Sequence, residues 1–241
     1  MMLDRRATEP ELLDRRDLDA PQVAQSLRLC ATVNRFLGGT RVVRKFLEAE
    51  FRRAPTNRPL RVLDIGAGDG SIPLAVNRWA RGRGRNVEWV CLERSPHAAR
   101  LARQAAAAAN DLRIQVIEED ILDHQPDEPY DCAIGSMFFH HLTDEGILAL
   151  LERLRTFVSQ SVLVNDLERC GACYRGFAAI SRFLAPAVRH DALLSIRRGF
   201  RPGELFRLLA RMKGVSVSVT RCWFCRLAGV IRLDRAGKGH E

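Results

Sequence analysis

Lysine is nearly missing from this 241-residue chain: Lys45, Lys213 and Lys238 are the only ones, so the formal charge of +9 is carried by arginine. The arginines are scattered and form no basic tract, which removes the usual footprint of a nucleic-acid partner and leaves solvated faces as the preferred reading. No run of about 18 apolar residues occurs, which excludes a membrane-spanning helix. Asp4-Arg5-Arg6 has no apolar stretch behind it, which speaks against a secretory leader, and a cytoplasmic protein is expected. At 46% apolar content the chain can bury one α/β core with an appendage, and a second full domain is not expected.

Seven cysteines include two C-x-x-C pairs, Cys170/Cys173 and Cys222/Cys225. Four thiolates would suit zinc. However, the first pair falls at a helix start and the second in a terminal hairpin, where residues three apart point to opposite faces. Free buried thiols in a reducing compartment are therefore the preferred reading, with no metal expected.

The informative stretch is Leu60 to Ser71. Val62, Leu63 and Ile65 form the apolar run of an interior parallel strand. Gly66, Ala67, Gly68 and Gly70 make a tight turn, and a helix with apolar Ile72, Leu74, Val76 and Trp79 follows. Such a turn lets backbone approach a ligand at the strand's carboxyl end. The dinucleotide fingerprint would need glycine where Ser71 stands. Asp64, two residues before the first glycine, repels a pyrophosphate but attracts a cationic ligand such as S-adenosylmethionine.

These residues resemble motif I of the class I S-adenosylmethionine-dependent methyltransferases, and the resemblance continues in order. It implies that Glu93, at the tip of the next strand beside Arg94, holds the cofactor ribose. It also implies that Asp120 and Ile121 hold adenine, and that Tyr130 to Ser136 is motif IV, with Ser136 near the transfer centre. The cofactor set is then Asp64, Gly66, Ala67, Gly68, Gly70, Glu93, Arg94, Asp120, Ile121 and Ser136. Where enzymes of base amines carry a proline-rich quartet, this chain has Met137-Phe138-Phe139-His140-His141, similar to enzymes of phenols, quinols and lipids. Asn165-Asp166-Leu167-x-Arg169, followed by His190-Asp191 and Arg197-Arg198, is similar to a bacterial subset acting in polyketide-type and other phenolic secondary metabolism.

The expected fold is an α/β, Rossmann-like, doubly wound seven-stranded sheet with an antiparallel terminal hairpin. A helical cap over 1–55 precedes a methyltransferase domain over 56–235, with a helical lid inserted at 167–201 because about 35 residues separate strand five from its helix. Residues before Asp19 lack periodicity and are read as loose or draped over the domain, and those after about 236 as a polar tail.

A phenolic acceptor needs a general base near pKa 7. His140 is the first candidate, and His190 paired with Asp166 or Asp191 the second; each can instead be a capping or packing residue. Asn34, Met137, His141, Asn165, Arg169 and Arg197 are candidate substrate ligands, with lid ion pairs and helix packing as the alternative. The expected partner is a small-molecule acceptor methylated on a hydroxyl. An RNA acceptor or a non-catalytic binding role is the alternative, and homodimerisation is left open.

Overall fold

The computed structural model describes residues 3–12, 20–53 and 58–233. The terminal tail expected after 236 lies outside them. A helical pair, α1 (Ala20–Phe36) and α2 (Gly39–Phe51), precedes the sheet. Then β1 (Leu60–Ile65), α3 (Ser71–Arg81), β2 (Val87–Leu92), α4 (Pro96–Ala108), β3 (Ile114–Ile117) and β4 (Tyr130–Ser136) alternate. They are followed by α5 (Asp144–Leu154), β5 (Val158–Leu167), α6 (Gly171–Ile180), α7 (Pro186–Arg198), α8 (Pro202–Leu209), β6 (Val215–Cys222) and β7 (Arg226–Leu233). The strands form one sheet in the order β3-β2-β1-β4-β5-β7-β6. Strands β1 to β5 pair in parallel, and β7 is antiparallel to both β5 and β6.

Alternation along the central strands sorts the core into two layers. Leu63, Ile65, Val90 and Leu92 pack with α5 and α8 through Ile147, Leu151, Leu205 and Leu209. Val62, Trp89 and Cys91 face the other way, onto Val43, Phe46 and Leu47 of α2 and Val76 of α3. Both faces are covered, as a parallel sheet requires.

Three additions sit over the carboxyl ends of the strands. Helix α1 lays Val23 and Leu27 on Ala98 and Leu101 of α4. Helices α6 and α7 lie between β5 and α8 in the chain, packing Tyr174, Phe177 and Ile196 near Met137 and Leu167. The described part of the amino-terminal segment is not loose. Ala7 N–H donates to the Arg197 carbonyl, Leu12 N–H donates to Asp191, and Glu11 is buried.

Candidate active site

The turn after β1 is a backbone surface held open by glycine. Gly66, Gly68 and Gly70 have φ of 66°, 59° and 72°, left-handed values that a side chain would strain. A Cβ on Gly66 would lie 2.6 Å from the Phe138 ring, and one on Gly68 3.3 Å from Leu27 of α1. The N–H groups of Gly66 and Ala67 donate to the Leu92 carbonyl at 2.9 and 3.2 Å, tying the turn to the end of β2.

Two carboxylates flank this turn. Glu93 accepts from Gly68 N–H at 2.9 Å and from Ser95 N–H at 2.8 Å. Its pKa is raised because burial outweighs those two donors. Asp64 is buried, and burial with the adjacent Glu93 charge pushes it up to about 8. A buried carboxyl held near neutrality and without a cation is one that a positively charged ligand would ionise. Further along the same edge, Asp120 lies 3.6 Å from Arg94 and accepts Leu122 N–H at 3.0 Å, and Ile121 is buried beside it.

A second polar group lies across the ends of β4, β5 and β7. Asn165 donates from Nδ2 to Ser136 Oγ at 2.9 Å and to the Gly39 carbonyl at 3.1 Å. His140 Nδ1 is 2.6 Å from Asp166 Oδ1, and its Nε2 is 3.4 Å from Glu11. Burial opposes charge on this ring, but Asp166 and then Glu11 outweigh it and push the pKa up to about 9. Asp166 and Glu11 are correspondingly lowered against the opposing effect of burial, each chiefly through His140. The cluster thus places an imidazole ring between two carboxylates that favour its protonated form. Met137, between Ser136 and these residues, has φ of 55° and donates its N–H to the Asn165 carbonyl at 2.9 Å.

Residues 62–161 match the family model described as a methyltransferase domain. The matched segment runs from within β1 to the start of β5 and contains the glycine turn, Glu93, Asp120 and Tyr130 to Ser136. No curated protein matches the chain. Among solved structures, the plantazolicin methyltransferase BpumL in complex with SAH superimposes with a TM-score of 0.69 at 14% identity, covering 91% of each chain. Magnesium protoporphyrin IX methyltransferase from Synechocystis PCC 6803 with bound SAH gives 0.57 at 15% identity, covering 82% of this chain and 83% of that one. The methyltransferase fold therefore extends beyond the matched segment to nearly the whole chain.

Around the matched segment, several residues fall elsewhere than the sequence reading places them. His190 is exposed on α7, and Asp166, one of its two suggested partners, is paired with His140. Arg169 is buried and committed to protein: Nε donates to the Leu3 carbonyl, Nη1 to Gly199 and Nη2 to both oxygens of Glu204. It staples β5 to α8, which corrects its assignment as a substrate ligand. Arg197 pairs with Glu9 at 3.3 Å, the structural alternative. His140 lies at the expected sheet edge, between Asp166 and Glu11, which favour its charged form.

Asn34 is buried and accepts a hydrogen bond from Arg226. The His141 ring lies 4.2 Å from that of His140. Glu11 and Arg226 were not anticipated. Nor was a Cys173–Cys225 disulfide, which joins α6 to the β6–β7 turn and overturns the free-thiol reading at those two positions. The sulfur of Cys170 lies within 4.8 Å of both, whereas Cys222, on the strand before the turn, stays outside the group.

Proposed function

We propose that this protein is an S-adenosylmethionine-dependent methyltransferase acting on a hydroxyl of a small aromatic, quinol or polyketide-like acceptor. The observation that carries the cofactor is the pairing of a glycine turn at positive φ with buried Asp64 and with Glu93 on its rim. Asp64 would face the cationic amino-acid end, Glu93 the ribose, and Asp120 with Ile121 the adenine. The residues present fit such a group: the glycine turn carries no side chains of its own beyond Ala67 and Asp69, and the strongly raised Asp64 carboxyl beside it favours a cation. The cofactor supplies an electrophilic methyl carbon whose transfer neutralises the sulfonium.

What the chain itself contributes is alignment and exclusion of water. Ser136 and Asn165 fix the end of β4 against β5, and α1, the amino-terminal strap and the lid helices cover the edge. His140 enters as a proton acceptor at Nε2 only once Glu11 has left and the ring has released that proton to solvent; in the described conformation it positions Asp166 and the amino-terminal segment. The domain division into a cap over 1–55, a core over 56–235 and a lid over 167–201 belongs to this same reading. The test is transfer of a labelled methyl group from S-adenosylmethionine to a panel of phenols and hydroquinones, with the matching amines and thiols alongside. Label on hydroxyl acceptors supports the reading; label confined to amines or thiols would overturn the choice of oxygen.

A further inference from the structure

Arg226 opens β7 opposite Leu167 of β5, and its side chain is completely buried. One terminal nitrogen, Nη2, donates to Asn34 Oδ1 at 2.8 Å and contacts Met137 Sδ at 3.1 Å. The other two nitrogens, Nε and Nη1, are buried with no hydrogen-bond partner among the described residues. No described carboxylate lies within ion-pair distance. Asp166, whose charge acts on Arg226, is already bonded to His140 and to two backbone N–H groups.

The two orphaned nitrogens lie on different edges of the guanidinium, Nε–H beside the occupied Nη2 and Nη1 on the far side, so each offers a single charge-assisted donor to an anionic oxygen. Leaving such donors buried and unsatisfied is costly, and natural proteins rarely do so without a ligand or a chemical reason. Burial already strains the charge, lowering the pKa to about 10. The position is also informative. Strand β7 stands three places from β1 in the sheet, roughly 14 Å at the spacing of paired strands. The side chain nevertheless returns to Met137, the residue that follows motif IV. Asn34 of α1 and the lid-packed Met137 frame it, so it faces the part of the edge covered by cap and lid and not the glycine turn.

We propose that Arg226 is the anchor of a carboxylate-binding subsite, and that the carboxylate belongs to the acceptor. This inference rests on the methyl-transfer reading above, and it narrows the acceptor class to hydroxylated molecules carrying a carboxylate. The amino-acid carboxylate of the cofactor has the same chemistry and is the alternative source.

The experiment compares wild type, Arg226→Met and Arg226→Lys by calorimetry with S-adenosylhomocysteine and with 5′-methylthioadenosine, which lacks the amino-acid end. Benzoate and phenol are then titrated into the S-adenosylhomocysteine-loaded proteins. The expected result is unchanged binding of both nucleosides in the variants, benzoate binding to wild type in preference to phenol, and a tenfold or greater loss of benzoate affinity in Arg226→Met. A tenfold loss for S-adenosylhomocysteine with 5′-methylthioadenosine unaffected keeps the carboxylate subsite and assigns it to the cofactor. Should Arg226→Met fail to fold, Arg226→Lys retains the charge without the guanidinium's separate Nε and Nη1 donors and carries the same comparison. Folded variants that bind all the probes as wild type does would overturn the proposal, as would a wild type indifferent to benzoate with cofactor binding independent of Arg226. Failure of the methyl-transfer reading looks different: wild type would bind neither nucleoside.

Discussion

Asp166 holds His140 twice: Oδ1 lies 2.6 Å from the ring Nδ1, and Oδ2 accepts the His140 backbone N–H at 3.1 Å. The arrangement has a pH signature. His140 is raised from 6.5 to about 9, so its contribution is complete below its unfolded pKa and is lost as pH rises through about 9. Asp166 is lowered, so its contribution is present above the unfolded value and disappears as pH falls. Melting temperature against pH should therefore fall off on the alkaline side, and His140→Gln should flatten that limb. A wild-type profile with no alkaline loss between about pH 7 and 10 would count against the paired imidazolium.

Asp64 behaves in the opposite sense to an ion-paired acid. Its folded pKa of about 8 exceeds the ordinary 3.8, so stability is full at low pH and declines as pH rises toward 8. Asp64→Asn should raise the melting temperature of the ligand-free protein at pH 8, and should weaken S-adenosylhomocysteine binding. A variant less stable than wild type at pH 8 would contradict this account.

Gly66 is constrained both by φ and by Phe138. Gly66→Ala places a methyl 2.6 Å from that ring at a φ of 66°, and a cost of about 1–3 kcal/mol is expected from the backbone alone. Phe138→Ala in the same chain should relieve the contact but not the backbone strain, so chemical denaturation should show partial and not full recovery.

The Cys173–Cys225 bond joins residues 52 apart in sequence, on α6 and in the β6–β7 turn. Its removal by Cys173→Ser should cost about 2–4 kcal/mol. Thiol titration of denatured protein should find five groups before reduction and seven after it. Seven before reduction would show that the bond does not form.

Much of this was legible in sequence where local chemistry decides the outcome. The buried runs of β1, β2 and β4 and the glycine turn announce themselves, because a parallel strand covered on both faces cannot hide its apolar residues. Strand β5 extends over Val158–Leu167, longer than its apolar core Ser161 to Val164, because Asn165 and Asp166 are polar yet stay in the strand through Ser136 and His140. Glu11 carries no local signal: its burial is created by His140 and Ser195, distant in the chain. Arg226 could have been noticed as a charge between Cys225 and Leu227 at the head of an apolar strand, but one arginine among 38 basic residues does not stand out. The disulfide is a tertiary event between segments that sequence spacing does not bring together.

The most direct test of the central claim is calorimetric titration of S-adenosylhomocysteine into wild type and Glu93→Ala. The account predicts micromolar binding to wild type, weakened tenfold or more by the substitution, about 1.4 kcal/mol. Folded wild-type protein that binds no S-adenosylhomocysteine, with or without an acceptor present, would contradict it.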